Sequence, residues 1–340
     1  MEAHVATPGG APSIFEGAPG ARAADRVFRS VLTALALGIL ALIVFFFVFL
    51  VVKANPALSR FGIFGFTFNN DWDVSRSTYG AWPLLVGTLI TSGIALIIGV
   101  PVAIATALYI NELCPRRLRG PLTVLVELLA AVPSVVYGLW GFLVLVPKLK
   151  GAQQSLADTF GFLPFVGGHV AGPSYFIAGL ILAIMILPIV SAISREVMST
   201  VPADHKEAAL ALGATRWEMI RTAVLPYSRS GVVGGAMLGL GRAIGETIAV
   251  TLVVGNAPQI GKSLFDQGYT LAAVIVNEFG EAATDRLHTG ALIAAGLVLF
   301  VLTLLVNAAA RALVSRAERR QRATGGAVPA GAAAAARVGA

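Results

Sequence analysis

The sequence predicts an all-α integral membrane protein with six transmembrane helices and a short helical elbow between the fourth and the fifth. Of the 340 residues, 56% are hydrophobic and only 13% are charged, and the mean hydropathy is +0.81. Soluble domains are about a quarter charged, so this chain has too much apolar surface for a single water-soluble core. Six separate stretches are also apolar over the roughly 20 residues that a helix needs to cross a bilayer.

The six stretches divide the chain into a membrane part and two tails. Residues 1–29 and 311–340 are rich in Ala, Gly and Pro or in basic residues, and we expect them to be disordered. Between the tails we distinguish the first span with its following loop, 30–81, from a core of five spans, 82–310. The predicted spans are 30–52, 82–108, 121–147, 173–194, 229–254 and 289–310.

Three prolines fall well inside predicted spans, away from the span ends. Pro101, Pro133 and Pro188 lie in the second, third and fourth. Proline is tolerated in transmembrane helices because neighbouring helices, side chains or waters satisfy the carbonyl that it leaves free. The three residues therefore predict kinks rather than helix ends.

The distribution of basic residues predicts the orientation of the chain. If both termini are cytoplasmic, the cytoplasmic segments hold 17 of the Lys and Arg residues and the outer segments hold 7. Cytoplasmic loops carry the excess of Lys and Arg, so this orientation is favoured over the reverse. Cys114 then faces the reducing compartment, where an unpaired cysteine is expected.

The loop between the fourth and fifth spans, residues 195–228, is called the elbow here. Pro202 suits the first position of a helix, and Gly213 suits the left-handed residue that follows a helix end. Thr215-Arg-Trp-Glu218 has the spacing of a capping box, which predicts a second helix that stops before Pro226.

Two simpler interpretations of the elbow are a DNA-binding motif and a plain connector. A helix–glycine–helix pattern is also found in DNA-reading proteins, but Arg216 and Arg221 are offset by Glu207 and Glu218, and membrane spans lie close on both sides. The elbow thus has little phosphate-binding charge and little room to enter a major groove. A plain connector between two spans remains the stronger alternative.

The elbow resembles the EAA motif of ABC importer permeases. The matching residues are Glu207-Ala208-Ala209, then Gly213, then Leu225-Pro226, while Ala223 stands where the motif has isoleucine. In that family this segment is the coupling helix, which inserts into a cleft of the ATPase subunit. The resemblance implies that the 203–226 loop couples this chain to separate ATPase subunits.

Three further segments resemble the phosphate-specific members of that family: 71–110, "ELLAAVPSVVYGLWG" at 127–141, and "GRAIGETIAVTLVVGN" at 241–256. The first span and the loop after it favour the PstC type over its PstA-type sister. The resemblance implies a bacterial plasma-membrane importer of inorganic phosphate that works by alternating access. Its implied partners are a PstA-like permease, two PstB-like ATPase subunits and a PstS-like extracytoplasmic binding protein.

The sequence contains no nucleotide-binding motif. "GNAPQIGKS" at 255–263 looks like a phosphate-binding loop, but five residues separate Gly255 from Gly261 where the motif requires four. His169, His205 and His288 show no metal-ligand spacing. We therefore expect a permease rather than an enzyme, with no cofactor or metal and with ATP bound by the partner subunits.

The most informative residues are the charges inside the spans. Arg242 and Glu246 are four residues apart, so on a continuous helix they share a face and can pair. Glu127 is a third, and Ser134 and Thr247 are secondary hydrogen-bond donors. Charges within a membrane usually mark a pathway, although a buried ion pair that only fixes helix register is the alternative.

Small residues predict how the helices carrying these charges pack. Gly231, Gly235 and Gly239 are spaced for close helix approach, and so are Gly241 and Gly245. We expect this face to meet the face of Glu127, which gathers the three charges near the cytoplasmic third of the bundle. An arginine there can offer its planar fork to phosphate, and Glu246 can accept the proton of hydrogen phosphate, which sulfate lacks.

The residues are also compatible with two other functions. The chain fits the permease of another oxyanion importer, for sulfate or molybdate. Less well, it fits a self-sufficient anion channel or secondary transporter that uses the Arg242–Glu246 pair.

Overall fold

The computed structural model describes residues 19–162, 165–168 and 170–325, and these are helical apart from connecting loops. Three π-helical turns, at Tyr109–Leu113, Gly141–Leu145 and Ile220–Val224, join consecutive helices. The helices are α1 (Pro19–Phe61), α2 (Ile63–Phe68), α3 (Trp82–Leu108), α4 (Arg116–Ala131), α5 (Ser134–Trp140), α6 (Val146–Phe160), α7 (Tyr175–Ser199), α8 (Ala203–Ala211), α9 (Arg216–Met219), α10 (Leu225–Gly245), α11 (Ile248–Val253), α12 (Leu271–Ala282) and α13 (Arg286–Gly325).

The prediction of an all-α, multi-pass membrane protein is confirmed. In the described residues, five helical segments are long and apolar enough to cross a bilayer: Asp25–Phe61, Trp82–Leu113, Ser134–Phe160, Tyr175–Ser199 and Arg286–Ala312. The third lies further along the chain than its predicted counterpart, and the predicted fifth span is divided between α10 and α11. The count of six therefore stays a prediction.

The predicted disordered tails are partly helical. α1 already begins at Pro19 and α13 continues to Gly325, so the boundaries drawn at 30 and 311 fall inside continuous helices. Ala and Arg, which are frequent in both extensions, are good helix formers. A composition that suggests disorder is therefore also compatible with a helix. Residues 1–18 and 326–340 lie outside the described part.

Contact density divides the chain within α1 rather than at residue 81. One unit ends at Val52 and the other begins at Lys53. In the first unit the apolar side chains of α1 are exposed, as expected of a helix whose surroundings are lipid or another subunit. The second unit holds the hydrophobic core.

The core of the second unit is built around α7, the most deeply buried of the candidate spans. Glycines allow its two neighbours to come close. A Cβ added to Gly179 of α7 would lie 2.5 Å from Ile94 Cβ of α3, and one added to Gly239 of α10 would lie 2.8 Å from Val190 Cγ2 of α7. The order α3–α7–α10 thus depends on small residues at the contacts.

Two glycines of α3 test this packing. A Cβ at Gly87 would collide with the backbone oxygen of Tyr269, whereas a Cβ at Gly93 would meet nothing within 4 Å. We expect Gly87→Ala to destabilise the protein by about 1–3 kcal/mol, the usual cost of overpacking. Gly93→Ala should be neutral or stabilising by up to about 1 kcal/mol through helix propensity. Thermal unfolding of the detergent-purified variants measures both, and equal stability of the two would contradict the packing described.

At the end of the second unit opposite the elbow, one carboxylate joins three elements. Glu278 of α12 accepts a hydrogen bond from Trp72 Nε1 at 3.1 Å, and its Oε2 lies 2.9 Å from His288 Nε2 of α13. His288 is itself buried and stacks on Tyr79 at 5.3 Å. The loop before α3 is thereby fixed to the last two helices.

Candidate functional site

The helix that carries Arg242 ends before it reaches Glu246. α10 stops at Gly245, Glu246 is extended with φ −70° and ψ 130°, and α11 starts at Ile248. Because the helix is interrupted, the spacing of four residues no longer places the two side chains on one face. No Arg242–Glu246 ion pair is present among the described residues, so that prediction was wrong.

Side chains of the interruption itself satisfy its backbone. Glu246 Oε1 accepts a hydrogen bond from Ala249 N at 3.4 Å, and the Thr247 hydroxyl donates to Gly245 O at 3.2 Å. Both backbone groups lack an intrahelical partner because they lie at helix ends. In a bilayer an unsatisfied backbone group costs several kcal/mol, so Glu246 and Thr247 stabilise the break.

A second break lies in the predicted third span. α4 ends at Ala131, Val132 is extended, and Pro133 precedes α5. The Tyr137 hydroxyl donates to Leu129 O at 2.8 Å and so satisfies a carbonyl at the end of α4. The predicted kink at Pro133 is therefore a helix end, whereas Pro101 and Pro188 do lie inside continuous helices.

The two interrupted helices lie side by side. A Cβ added to Gly138 of α5 would be 2.8 Å from Ala249 Cα of α11. Arg242 lies three residues before the end of α10, where the first break begins. Paired discontinuous helices are typical of substrate sites in membrane transporters.

Arg242 is at mid-depth of the helical layer, and no carboxylate in the described part of the chain pairs with it. Its neighbour Gly239 packs on Ile186 and Val190, in the middle of α7, and three further residues add only about 4.5 Å along the helix. The arginine is exposed, and it forms no ion pair within the described ranges. Ser134 is half-buried at the start of α5.

Glu127 lies nearer the elbow end of the helical layer than Arg242 does. Its Oε1 accepts a hydrogen bond from Arg195 Nη2 at 2.9 Å, and Arg195 Nη1 donates to Thr123 at 2.6 Å. Arg195 lies near the elbow end of α7, nine residues or about 14 Å from Ile186 along the helix. The expected cluster of three charges is therefore absent, and Glu127 instead joins α4 to α7.

The glycines of α10 also pack against a different helix from the one that the sequence predicted. Gly231, Gly235 and Gly239 pack on α7 and not on the helix of Glu127. Cβ atoms at Gly241 and Gly245 would meet nothing within 4 Å, so this side of α10 is open in the isolated chain. The surface that meets α5 is provided by α11.

The elbow has the local structure that its caps predict. Gly213 has φ +85°, its N–H donates to Leu210 O, and the N–H of Ala214 donates to Ala209 O. This pair of bonds is a Schellman motif, which ends α8. Thr215 and Glu218 form the complete capping box, and the hydrogen bonds from Thr215 lower the pKa of the Glu218 carboxyl.

Two details of the elbow differ from the prediction made from its sequence. Pro202 is the residue before α8 rather than its first residue. The second helix does not stop before Pro226, because a π turn leads from α9 directly into α10 and places Pro226 in the first turn.

The residues of the EAA-like motif have two different environments. Ala209 and Leu225 pack on a cluster formed by the ends of α3 and α7 together with the π turn before α10. Glu207, Ala208, Gly213 and Pro226 are exposed. Sequence reasoning missed two large apolar side chains beside them, Leu212 at 90% and Trp217 at 62% exposure. Their position in a loop with capped helices was the available signal, since exposed apolar groups of this size mark contact surfaces.

Comparison with known proteins agrees with this arrangement. The family model described as the inner membrane component of binding-protein-dependent transport systems matches residues 99–319. The phosphate transport system permease protein PstC of Mesorhizobium japonicum is 45% identical over 301 residues, which are 87% of this chain and 91% of that protein. PstC 2 of Mycobacterium tuberculosis is 46% identical over 300 residues, 86% of this chain and 92% of that protein.

A solved structure supports the fold. The bacterial alginate ABC transporter, in complex with an alginate pentasaccharide-bound periplasmic protein, matches with a TM-score of 0.57 and 19% identity, over 86% of this chain and 96% of that one. From the family match and the close relatives together, the chain belongs to the inner membrane components of binding-protein-dependent transport systems.

Proposed function

We propose that this chain is the PstC-type permease subunit of an ATP-driven importer that moves inorganic phosphate into the cytoplasm by alternating access. The observation that carries the proposal is the guanidinium of Arg242, which lies at mid-depth beside two helix breaks and pairs with no carboxylate in the described part of the chain. Relatives at 45–46% identity are named phosphate transport permeases. The chain is accordingly a transport subunit, and ATP is bound and hydrolysed by partners.

Arg242 supplies what an anion needs in order to leave water. A guanidinium is always charged and presents a planar fork that matches two phosphate oxygens. Because no carboxylate of the described chain occupies that fork, an entering anion does not have to displace one. Ser134 and Thr247 add hydroxyl groups at the ends of the neighbouring half-helices.

Glu246 gives the site a way to select among oxyanions. One carboxylate oxygen binds the Ala249 amide, which leaves the other as an acceptor. Hydrogen phosphate has an O–H to donate to it, whereas sulfate at neutral pH has none and would be repelled by the charge. Glu127 has no such role, because it lies near the elbow end of α7, away from Arg242, where it pairs with Arg195.

The exposed face of the elbow couples this site to the ATPase. Glu207, Ala208, Leu212 and Trp217 are all exposed on the two short helices of the elbow or at their ends, which suits insertion into a cleft of a partner. The opposite face of α8 rests on the permease core through Ala209. Motion of the ATPase therefore reaches the bundle through this helix.

A second permease subunit is needed to close the pathway. The α4–α5 side of the molecule exposes a row of apolar side chains, which suit contact with another subunit or with lipid: Val124, Leu125, Leu128, Val135, Val136 and Leu139. A PstA-like subunit covers this face, two PstB-like ATPases bind the elbows, and a PstS-like protein delivers phosphate at the opposite end. All of them assemble in the bacterial plasma membrane.

Orientation is tested by cysteine labelling from outside. Cys114 is only 5% exposed, so its failure to react would say nothing, and a Cys114→Ser background is required. In that background a membrane-impermeant maleimide should label Ser155→Cys, which is exposed in α6, and should miss Arg117→Cys in sealed cells. After the cells are permeabilised, both should react. Labelling of position 117 in sealed cells would place the elbow outside.

The substrate is tested by uptake with competing anions. In cells whose other phosphate importers are deleted, this chain and its co-encoded partners should support uptake of labelled phosphate. A hundredfold excess of sulfate or molybdate should leave that uptake unchanged. Strong competition by either anion would assign the chain to another oxyanion importer.

A further inference from the structure

The elbow helix α8 is held to the end of α3 by a partly buried ion pair. Lys206 Nζ lies 2.7 Å from Glu112 Oε1, with side-chain exposures of 22% and 8%. The same carboxylate oxygen accepts a hydrogen bond from Asn111 Nδ2 at 2.7 Å, and Arg119 Nη2 donates to Asn111 O at 2.6 Å. One carboxylate thus joins α8 to the turn between α3 and α4.

The position of Glu112 follows from a backbone irregularity. Residues Tyr109–Leu113 form a π turn at the end of α3, closed by the hydrogen bond from Cys114 N to Tyr109 O at 2.7 Å. Such turns are rare and are frequently found at functional sites. The turn aims a carboxylate at α8 rather than continuing the helix.

This ion pair differs from a surface salt bridge. Exposed pairs contribute little because water and salt screen them, but Glu112 is nearly buried, and its charge needs a partner. α8 has only nine residues, too few to be stable alone, so its placement depends on contacts with the core. Its contacts with the core include the Lys206 ion pair, the packing of Ala209 and a ring contact of His205 with Tyr227 of α10 at 6.1 Å, while Glu207 is exposed.

We infer that Lys206 and Glu112 are a positioning pair that transmits the displacement of the elbow to α3. This inference rests on the proposed function. α3 packs along α7, and α7 packs on α10, which carries Arg242, so a shift of α3 reaches the helices around the candidate substrate site. Without the pair, the ATPase still moves α8, but less of that motion enters the bundle.

The test is the amount of phosphate transported per ATP hydrolysed, measured with the purified complex in proteoliposomes. We expect Glu112→Gln and Lys206→Met to keep ATP hydrolysis and to lower this ratio by roughly fivefold or more, the lower end of ordinary coupling between sites. The charge swap, Glu112→Lys with Lys206→Glu, should restore most of the ratio. Glu196→Gln, which removes an exposed acid of the same region, should leave it unchanged.

The neutral double variant, Glu112→Gln with Lys206→Met, separates positioning from stability. It has no unpaired buried charge, and such replacements are often neutral or stabilising, so it should assemble even if the single variants do not. We expect it to assemble and remain poorly coupled. A wild-type ratio in the assembled double variant would overturn the inference. Failure of the proposed function would show first in the unmodified complex, as transport that needs no ATP or that carries another anion.

Discussion

Arg242→Gln is expected to reduce phosphate uptake by about ten- to a hundredfold, because a hydrogen bond to a charged group is usually worth roughly 1.5–3 kcal/mol. Glutamine keeps much of the side-chain length and removes the fork and its charge. Since Arg242 is exposed and forms no ion pair in the described structure, its loss leaves no buried partner unsatisfied. Assembly of the complex should therefore be normal.

A matched control lies on the same helix. Arg229→Gln makes the same change at an exposed position near the elbow end of α10 and should leave uptake close to that of the parent protein. Measurement of labelled phosphate uptake, alongside the amount of assembled complex, distinguishes loss of transport from loss of protein. Normal uptake by an assembled Arg242→Gln complex would rule out a contact with phosphate.

The double variant Arg242→Gln with Glu246→Gln addresses the register alternative. If the two residues stabilised the fold as a buried ion pair, removing both would restore function. The helix break argues against this, since Glu246 binds the Ala249 amide, and a glutamine oxygen can accept the same hydrogen bond. We expect the double variant to assemble and to stay inactive. Recovery of uptake would mean that the two side chains act as a structural pair.

Gly213→Val is expected to abolish coupled transport through a purely local change. The residue has φ +85°, where a β-branched side chain is strained by about 1–3 kcal/mol, and its Schellman hydrogen bonds set the angle between α8 and α9. Space is not the obstacle, because a Cβ would meet nothing within 4 Å. Phosphate uptake and transport-stimulated ATP hydrolysis should fall together, while the chain still inserts in the membrane.

Asparagine provides the matched control at this position. It tolerates the left-handed conformation far better than a β-branched residue does, so Gly213→Asn should retain most of the activity. If Val and Asn behaved alike, the conformation of residue 213 would not matter. Normal coupling in the valine variant would show that the elbow is only a connector.

The elbow was predicted well because its structure is local. The glycine at a helix end and the capping box act within four residues, so their signals are complete in the sequence. The departure at Pro226 has a tertiary cause. The π turn Ile220–Val224 packs into the core, and this contact carries the chain into α10 where a proline otherwise suggests a boundary.

The candidate site was predicted only in part, since hydropathy does not show where a helix breaks. Arg242 and Glu246 were predicted to be intramembrane charges that pair, and the predicted pairing assumed a continuous helix. Glu246 and Thr247 instead satisfy the backbone of an interruption that no apolar window reveals. The partner of Glu127 is 68 residues away at Arg195, a contact that spacing along one helix cannot show.

The most direct measurement is phosphate accumulation by proteoliposomes that contain the complex co-purified with this chain, supplied with its phosphate-loaded binding protein. The account predicts accumulation that requires ATP on the elbow side, that falls about ten- to a hundredfold with Arg242→Gln, and that is abolished together with transport-stimulated ATP hydrolysis by Gly213→Val. Proteoliposomes that contain this chain alone should accumulate none. Phosphate movement by the chain alone without ATP, or an unimpaired Arg242→Gln complex, would contradict the account.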